Sequence, residues 1–114
     1  MDGIVYNIYK EGLIVTLEVA KQMSIDKYKV SEGISRPVFV DARKLKTIAK
    51  EARSHLSEGE GLTYVSGGAI LINNAIQKLL ANAYLSINKP LVPAKIFTDK
   101  NQAISWLQQF KNIN

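Results

Sequence analysis

A chain of 114 residues with 46% hydrophobic side chains makes one domain of ordinary size, able to bury roughly two-thirds of its unfolded surface in a single core. The absence of cysteine excludes a disulfide framework and thiolate metal sites, and suits a reducing compartment. A formal net charge of +5, with 22% charged residues of both signs interspersed, is ordinary for a soluble surface, so only the local distribution of charge is informative.

The chain opens on "MDGIVYNIYKEG", which has no basic leader and no apolar segment of secretory length. Its longest aliphatic run, "AILI", is far too short to span a bilayer. A cytoplasmic protein without membrane insertion is expected. In "GIVYNIYK", Ile4, Tyr6 and Ile8 share one face at period two, Glu11 and Gly12 read as a tight turn, and "LIVT" resumes as a second strand. This predicts an opening β-hairpin. Thr16 then caps a helix running to about Tyr28, with Glu18 in its first turn.

After "KVSEGISR", the run "PVFVD" is apolar without alternation, as a strand covered on both faces should be. Thr47 is the predicted cap of the next helix, whose apolar positions Leu45, Ile48, Ala49, Ala52 and Leu56 fall at helical spacing until "SEGEG" stops it. A strand follows over residues 62–72. Asn74 and Gln77 form a capping box for a third helix with a core-facing stripe of Ile76, Leu79, Leu80, Ala83, Tyr84 and Ile87. "NKPLVP" breaks that helix, "AKIFT" is the last strand, and Asp99 with Gln102 caps a helix carrying Ala103, Trp106, Leu107 and Phe110.

The resulting order is ββαβαβαβα. It predicts a single α/β domain over residues 1–114, with a mixed five-stranded sheet covered by four helices. The first two strands should be antiparallel and the last three parallel.

That order and size resemble the STAS class, the sporulation-type anti-sigma-factor antagonists and their relatives. An uncharacterised bacterial group of STAS-like proteins is similar in "RPVFVDAR", "INKPLVPAKIFTD" and "AISWLQQF". The resemblance implies a non-enzymatic regulatory or protein-interaction module. In the antagonists, a serine at the start of the helix after the third strand is phosphorylated; Ala49 and Lys50 stand about there in this sequence, so the switch residue does not carry over. Lipid-binding relatives sharing the architecture imply an alternative: a small-molecule carrier, with an anion held at the basic rim of the second helix and an apolar tail between helices.

The chemistry-bearing candidates gather around "RPVFVDARKLKTIAKEAR". In an open α/β sheet, ligands and partners meet the C-terminal ends of parallel strands, where Asp41, Asn73, Asn74, Thr98 and Asp99 are expected. Arg43, Lys44, Lys46 and Lys50 share that rim and, with Asp41 and Thr47, form a candidate surface for a phosphate, a carboxylate or an acidic partner. The competing reading is a solvated helix face with Asp41 paired to Arg43 or Arg53.

Elsewhere, the lone histidine, His55, reads as a surface ion pair, with Glu51 one turn earlier, rather than a metal ligand. Gly67 and Gly68 interrupt a strand and mark a bulge, a tightly packed helix or the close approach of a ligand; they fit no phosphate loop. Ser66 in "YVSGG" lacks the first glycine of a nucleophile elbow. Trp106 reads as a core anchor, and Tyr84 as core or interface. No catalytic constellation, metal or cofactor is expected, and no basic-aromatic interleaving suggests nucleic acid. An unidentified protein partner is expected, and a homodimer is compatible with the sequence.

Overall fold

The computed structural model describes residues 3–57, 59–88 and 91–111. The apolar run "PVFVD" becomes β3 (Arg36–Asp41), flanked by β1 (Val5–Ile8) and β5 (Val65–Leu71), with β6 (Ala94–Phe97) beyond β5. The sheet has the order β1-β3-β5-β6, and every pairing in it is parallel. Four helices accompany it: α1 (Leu17–Ser31), α2 (Lys50–Ser57), α3 (Ala75–Asn88) and α4 (Lys100–Leu107).

The α/β class and the four helices agree with the sequence; the mixed five-stranded sheet and the opening hairpin do not. The turn at Glu11 and Gly12 exists, with Gly12 at φ 73° and Leu13 N–H donating to Lys10 O at 3.2 Å. It does not fold the chain back onto β1. Tyr9 N–H still extends the β1–β3 ladder by donating to Asp41 O at 3.0 Å, after which the chain leaves the sheet edge. The next strand, β2 (Ile14–Val15), pairs in parallel with β4 (Thr47–Ile48) as a separate two-stranded sheet. Burial accompanies this pairing: Val15 is wholly buried with Tyr9, Ala20 and Ala52, between the end of β1 and helices α1 and α2.

The caps follow the sequence more closely. Thr16 Oγ1 accepts from Val19 N–H at 3.2 Å, Asn74 Oδ1 from Gln77 N–H at 2.9 Å, and Asp99 Oδ1 from Gln102 N–H at 3.0 Å. Helix α1 runs one turn past Tyr28, to a left-handed cap at Glu32 (φ 56°). Thr47, in contrast, caps nothing. It lies in β4, and Ala49 O accepts the first helical bond of α2, from Arg53 N–H at 3.0 Å. Leu45, Ile48 and Ala49 precede the helix that their spacing suggested.

Side chains alternate across the strands, so the sheet has two distinct faces. On one, Ile4, Phe39, Ala69, Leu71 and Phe97 pack against Ala103 and Leu107 of α4. Trp106 and Phe110 close this layer, their rings 4.7 Å apart, and Phe97 lies 5.7 Å from Trp106. Trp106 is thus the anchor expected of it. The opposite face carries Val5, Val38 and Val65 and lies beneath α1, α2 and α3. Of the stripe expected of α3, Leu79 does not face the core: it is 71% exposed, while Ala81 and Leu85 line the sheet side of the helix. The side chains of Ile76, Leu80, Ala83, Tyr84 and Ile87 lie outside the described residues, as do Lys89 and Pro90 of the expected break.

Candidate functional site

The C-terminal rim of the sheet brings together much of what the sequence placed there. Asp41 ends β3, Asn73 and Asn74 follow β5, and Thr98 and Asp99 follow β6. The carboxylate of Asp41, only 8% exposed, is held bidentately by Arg43: Nε donates to Oδ1 at 2.9 Å and an Nη to Oδ2 at 2.7 Å. Arg43 N–H adds a third bond to Oδ1 at 3.2 Å. These bonds hold the Asp41 carboxyl below the usual carboxylate range against the opposing pull of desolvation. Asn73 ties the turn down by donating from Nδ2 to Arg43 O at 3.0 Å.

The most prominent cation of the rim is therefore engaged within the chain. Lys44 and Lys46 contribute backbone: Lys44 O accepts from Gly12 N–H at 3.0 Å, and Lys46 N–H donates to Leu13 O at 2.9 Å. Those bonds strap the segment before α2 to β2. The side chains of Lys44, Lys46, Thr47 and Lys50 are exposed, and among the described residues no carboxylate pairs with the three lysines. Lys50 is the first residue of α2, with Ala49 immediately before it.

A second site lies on the other face of the sheet. Between the strands and helices α1, α2 and α3 is a cavity of about 300 Å³. Its floor is Val38, Val40, Gly68, Ile70 and Ile96; its walls include Met23 of α1, Leu56 of α2, and Ala81 and Leu85 of α3. Leu45 and Ile48, which spacing had assigned to a helix, line it from the strapped segment.

The two glycines of β5 have different surroundings. A Cβ on Gly67 would lie 2.7 Å from Phe110 Cδ2, so that glycine is needed for close helix packing. Among the described residues, a Cβ on Gly68 would meet nothing within 4 Å, as that position opens onto the cavity. A register shift between Arg36 and Pro37, opposite Val65 and Gly67, is the irregularity that glycine in a strand foreshadows.

Among the described residues, one charged side chain stands in the cavity wall. Lys27, on α1, directs Nζ to Gly61 O at 2.7 Å. Gly61 is itself obligatory, since a Cβ there would overlap the carbonyl of His55. Burial pushes the Lys27 ammonium down from 10.5 to about 8. The folded chain thus disfavours the proton that the unfolded chain holds. The resulting cost is fully present below about pH 8, is relieved as pH rises towards 10.5, and is absent above it. Lys27→Met is accordingly expected to stabilise the protein by about 1–2 kcal/mol at pH 7, after allowance for the lost bond to Gly61. In paired urea titrations the advantage should shrink steadily towards pH 10; a pH-independent difference would contradict the assignment.

His55 is not the surface ion pair expected. Its Nε2 lies 2.9 Å from Ser24 Oγ, which is also 3.1 Å from Ala20 O, so the pair ties α2 to α1. A nucleophilic serine would need an acid to orient the imidazole and donors for an oxyanion. Among the described residues, no carboxylate is hydrogen-bonded to His55. Sequence spacing had no means of pairing residues 24 and 55. It also passed over Lys27, whose only local signal is a lysine on the α1 face that carries Ala20 and Met23.

Comparison with known proteins adds the following. Curated proteins contain no match. Among solved structures, the chain is similar to an uncharacterised protein of the DUF3478 family with a SpoIIAA-like fold from Shewanella loihica PV-4, determined at 2.25 Å. The two are 21% identical, with a TM-score of 0.57 over 90% of this chain and 79% of that one. The likeness is one of fold, and it bears out the STAS-like architecture inferred from "RPVFVDAR" and the element order. No helix among the described residues is long and apolar enough to cross a membrane. With the domain of unknown function DUF7793 matching residues 1–111, nearly its whole length, the chain belongs to the DUF7793 family.

Proposed function

We propose that this domain is a non-enzymatic binding module that encloses a small, mainly apolar molecule between its sheet and helices α1, α2 and α3. The cavity of about 300 Å³ supports this reading. Protein interiors are packed like organic crystals, with few voids larger than a water molecule. Water standing against so apolar a lining is unfavourable, at a cost on the scale of the transfer free energy of the side chains it wets. A ligand would recover part of that cost, and the volume lies at the small end of the range for ligand pockets.

The test is the intact mass of gently desalted protein, followed by thermal melting with added medium-chain alkyl compounds. A copurified mass, or a midpoint that rises with ligand concentration as linkage requires, is the expected result. A bare polypeptide mass together with an unmoved midpoint for every alkyl compound would overturn the reading.

A second reading, that of a regulatory protein-interaction module, has one observation of its own. Tyr6 and Ile8 are 45% and 65% exposed on the sheet face that α4 covers further along, beside the edge strand β1. An apolar patch at a sheet edge suits a protein partner or a second copy of the chain. Ile8→Lys would then abolish complex formation in sedimentation velocity while leaving any copurified ligand in place.

A further inference from the structure

The polarity of the cavity is uneven, and the unevenness specifies a ligand class. Among the described residues, Lys27 is the one charged side chain of its lining; Asn7, Tyr9 and Ser57 are the other polar ones, and Ser57 Oγ is committed to Arg53 O at 2.8 Å. An ammonium has three donors, and the Gly61 carbonyl accepts from one of them. Among the described residues no ion pair reaches Lys27. With its pKa at about 8, the group is still mostly protonated at pH 7. A cation in an apolar wall without a counter-ion is the arrangement that an entering anion would complete.

We propose that Lys27 is the head-group site of the cavity and that the ligand is a medium-chain alkyl carboxylate, its carboxylate on Nζ and its chain along the floor of Val38, Val40, Gly68 and Ile70. This rests on the cavity being a ligand site. A volume of about 300 Å³ corresponds to on the order of ten groups the size of a water molecule, which sets the chain length at roughly ten carbons. The assignment also moves the anion from the rim at Asp41 and Arg43. Helix α1 returns the chain to the edge where β3 begins, Lys27 lies in its last turns, and Gly61 precedes β5. The head group therefore sits at the N-terminal edge of the sheet.

The test is calorimetric titration of the wild type, Lys27→Met and Lys27→Arg with decanoate and with decanol at pH 7. A hydrogen bond to a charged group corresponds to about a tenfold or greater preference, so the wild type should bind decanoate at least about tenfold more tightly than decanol. Lys27→Met should lose that preference while keeping decanol affinity within about threefold; Lys27→Arg should keep part of it. Decanol binding without a decanoate preference in the wild type, or a preference that survives in Lys27→Met, overturns the head-group assignment and leaves the cavity reading standing. Should Lys27→Met fail to fold, Lys27→Gln takes its place, and the wild-type ratio still decides whether a preference exists. If the wild type binds neither compound, the head-group assignment falls, and a bare polypeptide mass with unmoved midpoints takes the cavity reading with it.

Discussion

Gly67→Val should lower stability by about 3 kcal/mol, whereas Gly68→Val, one residue along the same strand, should leave stability unchanged or raised and abolish uptake of an alkyl ligand. At Gly67 even a methyl group would meet the Phe110 ring at 2.7–3.1 Å. That ring has little freedom to yield. It is packed edge-on to Trp106 at 4.7 Å, and its backbone carbonyl accepts from Ser66 Oγ at 2.8 Å. At Gly68 the added side chain enters open space and replaces a residue of poor strand propensity. Urea midpoints and intact-mass spectra of the two variants check the pair. A Gly68→Val protein that retains its ligand would place the ligand elsewhere.

Phe39→Ala should cost about 3–5 kcal/mol, among the largest losses expected of any single truncation here. The ring is 1% exposed at the centre of β3, packs with Ile4, Ala69, Leu71, Phe97 and Leu107, and meets Tyr6 at a centroid distance of 5.7 Å. Val40→Ala, one residue further on and on the opposite face, should cost only about 1–2 kcal/mol, the transfer free energy of the two methylene-sized groups removed. Its side chain already borders empty volume, so truncation there enlarges a space instead of creating one. Chemical denaturation of both variants measures the contrast. Similar losses for the two would mean that the α1–α3 face is as closely packed as the α4 face. The predicted inequality expresses a difference between the faces, in which the α4 side is closely packed and the other side holds the cavity.

What was legible in the chain by itself is what local chemistry encodes. The unbroken apolar run at Val38 to Val40 marked a strand covered on both faces, and the side chains of Thr16, Asn74 and Asp99 marked three helix starts by satisfying free N–H groups. The α/β class and the STAS-like architecture followed from the order of those elements. The pairing of Asp41 with Arg43 was within reach for the same reason, since two residues of separation keep both groups on one turn.

Partner choice among strands was not legible. The turn at Gly12 specifies a change of direction, but whether β2 then pairs with β1 or with β4 depends on where Val15 can be buried, and that depends on Ala20 and Ala52 from two helices. Thr47 misled for a related reason: a threonine before a helical pattern is a cap only if its backbone is not already held in a strand ladder. The cavity and its lysine belong wholly to the tertiary structure. Lys27 and Gly61 are separated by 34 residues, and the space beside them lies between the sheet and elements distant in the chain. No periodicity in a linear sequence encodes a volume that is left empty.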